Sequence, residues 1–204
     1  MRIGRLHVIT DCRAGRDPLP VVRGALSAGA PVVQVRAKEL SDRALYALAL
    51  QVREACDLVG AACVVDDRPD VALAVGAAGT HLGALDLPLA AARRVVGPAH
   101  LLGGTAREPA SGQALVDEGA SYLGVGPAYD TTSKDGLPAA IGAAGVGAVA
   151  AAVDVPVIAI GGITADRVPE LMAAGAWGVA VIGAVSDAAD PAAATRELLR
   201  AVGS

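Results

Sequence analysis

Short Val, Ile and Leu runs that alternate with Ala-rich stretches of helical length predict an α/β fold, a single (β/α)8 barrel spanning residues 1–204. Three observations carry that reading. The apolar runs number eight, the count that closes a parallel barrel, and fall at 6–10, 31–36, 62–66, 80–83, 100–104, 121–126, 156–162 and 178–183. A Gly-containing step precedes several of them, at Gly29, Gly79, Gly119 and Gly175, where glycine permits the left-handed cap that turns a helix back into a strand. No linker or composition break divides the 204 residues, a length that suits one core. An open doubly wound sheet is the second architecture considered. The barrel makes the sharper demand, that chemistry collect at the C-terminal ends of the strands.

The helices follow from spacing. Between Ser41 and Leu58, Leu45, Leu48, Ala49 and Val52 recur at helical intervals and leave Arg43, Gln51 and Arg53 outside. Asp190 as N-cap with Pro191 at the first helical position starts the last helix. With 53% apolar residues, no Phe and one Trp, the core has to be built from small and branched side chains.

Composition narrows the partners. The net charge of −4 and the absence of a basic tract argue against nucleic acid. No apolar run reaches the roughly 18 residues of a membrane span, and the opening MRIGRLHVITD does not resemble a secretion signal, so a cytoplasmic protein away from membranes is expected. Cys12, Cys56 and Cys63 lack paired metal-site spacing and are read as reduced thiols. A homo-oligomer is left open.

Chemistry-bearing residues gather where the strands end. Gln34, Arg36 and Lys38 are spaced by two and share a face, and an Arg fork beside a Lys point charge suits a multiply charged anion such as a diphosphate. A surface salt-bridge cluster with Glu39 is the alternative. Asp66 and Asp67 close the third strand and Asp86 follows the fourth; Asp67 and Asp86 could share a hard cation such as magnesium, or the aspartates could serve as helix N-caps. After the sixth strand, Thr131, Thr132, Ser133 and Lys134 set three hydroxyls and an ammonium within four residues, a phosphate-gripping composition that also fits a polar surface loop. Gly161 and Gly162 follow strand seven and Gly183 follows strand eight, where barrels bind phosphate with main-chain N–H groups. His7, His81 and His100 show no shared-metal or triad spacing and are expected to hydrogen-bond locally, and Trp177 is expected to pack.

Together, Q-V-R-A-K at 34–38, D-D-R at 66–68, H-L-G-A-L-D at 81–86, G-P-A-Y-D-T-T-S-K at 126–134 and A-I-G-G-I at 159–163 resemble the thiamine phosphate synthase family. The resemblance implies an enzyme, a magnesium-using transferase that joins hydroxymethylpyrimidine diphosphate to thiazole phosphate and releases diphosphate. It implies that Gln34, Arg36 and Lys38, with Asp66 beside them, meet the pyrimidine diphosphate and that Asp67 and Asp86 hold Mg²⁺. It also implies that Thr131, Thr132, Ser133 and Lys134 reach the phosphates, that Thr105 lines the site, and that Gly162, Ile182 and Gly183 surround the thiazole phosphate. Arg36, Lys38 and Lys134 would then carry the catalytic charge stabilisation. A lid is expected over 130–142. The sequence departs from the family pattern at Asp66 (Asn), Ala84 (Gln), Arg107 (His), Asp130 (Pro) and Gly183 (Ser). The related thiazole tautomerase shares the T-x-S-K loop but uses a histidine where Pro127 stands here. A catalytically silent barrel that binds a thiamine precursor is the rival from another class.

Overall fold

The computed structural model describes residues 3–131, 136 and 138–203. Eight parallel strands run in sequence order around a closed barrel: β1 (Leu6–Ile9), β2 (Val32–Val35), β3 (Ala62–Asp66), β4 (Gly79–Leu82), β5 (Leu101–Ala106), β6 (Tyr122–Val125), β7 (Val157–Ile160) and β8 (Gly178–Val181). Pairing of Leu6 with Val179 and of Val8 with Val181 closes the ring. The open sheet is thereby excluded, and the architecture is the TIM barrel. Around the strands lie α1 (Leu19–Ser27), α2 (Asp42–Asp57), α3 (Pro69–Val75), α4 (Leu89–Val96), α5 (Pro109–Asp117), α6 (Gly142–Ala152), α7 (Val168–Ala173), the single turn α8 (Gly183–Ser186) and α9 (Pro191–Ala201).

Alternation along each strand assigns every side chain to a layer. Outward residues such as Val33, Val35, Cys63 and Val65 pack on Leu45, Leu48, Ala49 and Val52 of α2. On the other side of the molecule Leu123, Val157 and Val179 meet Val146, Val149, Leu171 and Leu198. The alternate residues Ile9, Val32, Val64, Tyr122, Ile158 and Ala180 point inward and form a separate cluster. Trp177 packs at the edge of that cluster, donating from Nε1 to the Ile3 carbonyl at 3.0 Å, with the Arg5 guanidinium 5.1 Å from its ring centre.

The helix boundaries follow from the capping chemistry. Ser41 Oγ accepts the Ala44 N–H at the start of α2, and Asp190 Oδ1 accepts the N–H groups of Ala192 and Ala193 at 2.9 and 3.0 Å at the start of α9. Gly29, Gly119 and Gly175 are left-handed, as expected of helix ends. Gly79 is a correction to the sequence reading: it lies within β4, and the left-handed cap of α3 is Gly76 at φ 70°. Free cysteines are found at all three positions, and no described helix is long and apolar enough to cross a membrane.

A barrel interior without phenylalanine is filled by Tyr122, His7 and His81. The His7 and His81 rings lie 5.4 and 5.6 Å from the Tyr122 ring. Burial drives the His7 pKa down to about 3, so the ring is neutral and Nε2–H donates to the Gly4 carbonyl at 3.2 Å. Gly103 makes room for this packing, because a Cβ there would lie 2.2 Å from Tyr122 Cζ and 2.5 Å from His81 Nδ1. Gly103→Ala is expected to lower the unfolding free energy by about 1–3 kcal/mol through overpacking, read as an earlier urea midpoint. An unchanged midpoint would mean the interior has slack.

Candidate active site

A cavity of about 600 Å³ opens at the C-terminal ends of the strands, bordered on one side by the charged residues of β2, β3 and the β4 loop and on the other by the glycine turns after β7 and β8. The barrel thus meets its own demand.

Inward parity carries Gln34 and Arg36 from β2 into this cavity while Val35 and Ala37 enter the helix-facing core. Gln34 is buried, and its Nε2 donates to Asp66 Oδ1 at 3.4 Å; Arg36 Nε lies 3.5 Å from Asp66 Oδ2. Lys38 Nζ sits 2.6 Å from Asp67 Oδ2 and 3.8 Å from Asp86 Oδ1. The cations therefore pair with the three site aspartates and not with Glu39. Thr10, at the end of β1, fixes where β2 releases Arg36, since its Oγ1 donates to the Arg36 carbonyl at 2.9 Å and accepts the Arg36 N–H at 2.8 Å.

None of the three aspartates caps a helix. Arg68 occupies the N-cap of α3 and Pro88 that of α4, while Asp86 Oδ2 accepts the Gly83 N–H at 2.7 Å. Asp67 has φ 64°, the one positive value among the described non-glycine residues. Backbone strain of that kind collects at functional sites. The conformation is held by the Asp67 N–H donating to the His81 carbonyl at 2.8 Å.

Burial pushes the Asp66 carboxyl up to about 6 against the pull of Arg36 and Lys38. Asp67 is raised as well, by burial and by the hydrogen bond it shares with Asp86. Burial alone would raise Asp86, yet the Asp67 hydrogen bond, the Gly83 N–H and Lys38 carry it down. Within the pair Asp67 is the group that keeps a proton longer.

Deeper in the barrel, His81 Nε2 lies 2.9 Å from Thr105 Oγ1, and Nδ1 lies 3.2 Å from the Tyr122 hydroxyl. Thr105 lines the cavity, as do Thr131, Gly162, Ile182 and Gly183. Thr132, Ser133 and Lys134, with residues 135 and 137 of the expected lid, lie outside the described residues. His100 faces elsewhere, 3.0 Å from Thr80 Oγ1, so the histidines do not form a common centre. Among the described residues no three His, Cys, Asp or Glu side chains form a metal-binding group.

Sequence reasoning missed four contributors. Thr10 positions Arg36, and His81 and Tyr122 form the polar floor. Arg167, just before α7, also lines the cavity, its Nη1 donating to the Gly162 carbonyl at 2.6 Å. Its signal was a cation five residues beyond the Gly161-Gly162 turn.

Residues 6–185 match the family model described as thiamine monophosphate synthase. A thiamine-phosphate synthase of Salinispora tropica is 62% identical over 203 residues, covering 98% of each chain. One from Moorella thermoacetica is 45% identical over 195 residues, with 96% of this chain and 93% of that one covered. Among solved structures, a thiamine phosphate pyrophosphorylase from Pyrococcus furiosus superposes with a TM-score of 0.89 at 36% identity, covering 97% of this chain and 95% of that one. A 3-hexulose-6-phosphate synthase, at 20% identity and a TM-score of 0.74 over 97% of this chain and 99% of that one, shares the fold. With a matching family model over most of its length and close relatives over nearly all of it, the chain belongs to the thiamine monophosphate synthase family.

Proposed function

We propose that the protein joins hydroxymethylpyrimidine diphosphate to thiazole phosphate, giving thiamine phosphate and diphosphate. The observation that carries this reading is the convergence of Arg36 and Lys38 with Asp66, Asp67 and Asp86 at one mouth of the barrel. Pro127 lines the cavity at the position where the tautomerase uses a histidine, which favours synthesis over isomerisation. A cytoplasmic setting accompanies the reading.

In this reaction the bond from the pyrimidine methylene carbon to the diphosphate oxygen breaks, and its electron pair leaves with the diphosphate. The thiazole nitrogen then supplies the pair that forms the new C–N bond. No proton has to move at the reacting carbon, so the protein's task is charge stabilisation and exclusion of water. Arg36 offers a guanidinium fork and Lys38 an ammonium to the leaving oxygens. Ile158 and Ile160 give the cavity an apolar wall beside Tyr122.

The donor set fits magnesium. Three carboxylates face two cations, so the cluster cannot take on a multiply charged diphosphate without more positive charge. Asp67 and Asp86 lie against one ammonium, Lys38 Nζ, at 2.6 and 3.8 Å, and offer oxygens of the kind that would suit a hard divalent ion. These two residues would hold Mg²⁺, which when bound supplies positive charge to the leaving diphosphate.

Purified protein supplied with Mg²⁺ and both substrates is expected to form thiamine phosphate, and Asp67→Ala to lose turnover by about 100-fold or more together with its magnesium dependence. Kinetics unchanged by that substitution would refute the metal assignment. Asp66→Asn removes a negative charge 3.5 Å from Arg36. It is expected to lower the KM for the pyrimidine diphosphate by about tenfold, the size of one modest charge contact. A raised KM would show that Asp66 chiefly holds Arg36 in place.

A further inference from the structure

We propose that Arg107 is a positioning residue, one that pins the returning end of the β6–α6 connection to the exit of β5 and so fixes the cavity wall at Gly126 and Pro127. The part this wall plays in turnover rests on the proposed function; the tie itself rests on geometry.

The connection leaves β6 at Val125 and re-enters the fold where α6 begins at Gly142. Main-chain bonds join its two ends: the Ile141 N–H donates to the Pro127 carbonyl at 2.9 Å, and the Gly142 N–H to the Ala128 carbonyl at 3.0 Å. The outgoing end is held to β7 in the same manner, with the Ala128 N–H donating to the Ile160 carbonyl at 2.8 Å and the Tyr129 N–H to the Gly161 carbonyl at 3.0 Å. On the β5 side the tie is a side chain. Arg107, the residue directly after β5, donates from Nη2 to the Ala139 carbonyl at 2.7 Å. Ala139 lies two residues before Ile141, so the bond bears on the same pair that seats Pro127. Gly126, Pro127, Asp130 and Thr131 all border the cavity.

Local stability does not account for an arginine at this position. α5 begins at Pro109 with Glu108 as its N-cap, and a cation beside a helix N-terminus opposes the helix dipole. The Arg107 Nε is buried and has no hydrogen-bond partner among the described residues, which leaves a desolvation cost uncompensated. The Arg107 backbone N–H donates to Ser111 Oγ at 3.5 Å, a bond that does not involve the guanidinium, so the helix start does not call for one. The contact that offsets both costs is the charge-assisted bond to Ala139. Position 107 is also one of those where the sequence departs from the family pattern, arginine standing for histidine, so the tie is a feature of this chain.

Lysine occurs in this chain only at positions 38 and 134, so a lysine-specific protease reports on the β6–α6 connection at Lys134. Lys38, paired with Asp67 at the β2 side of the mouth, is the internal control. In the intact protein, Arg107→Gln is expected to raise the initial rate of cleavage after Lys134 about tenfold, the scale of one charged hydrogen bond, with Arg107→Lys recovering part of the protection. Cleavage after Lys38 and the urea midpoint should match the wild type. With both substrates and Mg²⁺, kcat of Arg107→Gln is expected to fall about tenfold while the KM for the pyrimidine diphosphate, met by Arg36 and Lys38, stays within about twofold. Equal cleavage after Lys134 in wild type and Arg107→Gln would overturn the proposal. Equal acceleration at both lysines with an earlier urea midpoint would overturn it too, as general loosening, and faster cleavage after Lys134 with an unchanged kcat would show a tie that positions nothing. If the wild type itself forms no thiamine phosphate, the proposed reaction fails, and the protease rates alone decide whether Arg107 holds the connection.

Discussion

Closure of the sheet between β1 and β8 is the constraint on which everything else rests. Once the ring is closed, every second residue of each strand has to enter a narrow interior, and the residue at the C-terminal end of each strand has to face the same opening. Gln34, Asp66, His81 and Thr105 come from four strands and share one cavity for that reason alone. The interior tolerates this concentration of polar groups because they satisfy one another. His81 lies between Thr105 and Tyr122, and Gln34 donates to Asp66. Below them His7 remains neutral under Tyr122, and the apolar layer of Val32, Val64, Ile158 and Ala180 completes the filling.

The charged mouth is held less comfortably than the interior. Taking carboxylates out of water is costly unless cations and donors compensate them. Here two cations serve three carboxylates, and the compensation is incomplete: Asp66 and Asp67 are both pushed towards their protonated forms. The backbone strain at Asp67 adds to the cost. A contrasting cluster lies at the neighbouring β1 exit, where Asp11 is buried but accepts hydrogen bonds from both Arg13 and Arg16, and its pKa falls to about 2. Arg16 continues to Asp187 and ties the β1 loop to the end of α8. The same residue type is thus fully answered where it braces the scaffold and left under-answered where a ligand is to arrive.

Much of this was legible in the chain. Strand runs of Val, Ile and Leu survive as β1 to β8, the third with the expected bounds 62–66 and the others with one or both ends shifted by one or two residues. Spacing by two brought out Gln34, Arg36 and Lys38, since the apolar partners Val35 and Ala37 marked the other face. Gly79 misled because a glycine before a strand reads the same whether it caps a helix or lets two strands approach; here a Cβ would lie 2.8 Å from Leu101. His81 and Tyr122 were passed over because parity in a four-residue strand cannot be fixed without its register. Arg167 was passed over because it is delivered by a turn, and a cation near a helix start carries no periodic signal.

The two sides of the cavity are built from different materials, and that difference gives the site a direction. On the side of β2, β3 and the β4 loop, recognition is by long charged side chains whose positions are set by Thr10 and by the Asp67 backbone. On the side of β7 and β8 the wall is glycine-rich, with Gly162 at φ 62° where a Cβ would meet the Asp130 carbonyl at 2.5 Å, so the chain itself can approach a ligand closely. A substrate bearing several negative charges is drawn to the first side, where counter-ions can be recruited. One bearing a single phosphate is better matched to the second, where the groups are rigid and few. Bond breaking followed by capture needs the leaving group and the incoming nucleophile held at separate places around the reacting carbon, and on the proposed function this asymmetry provides them.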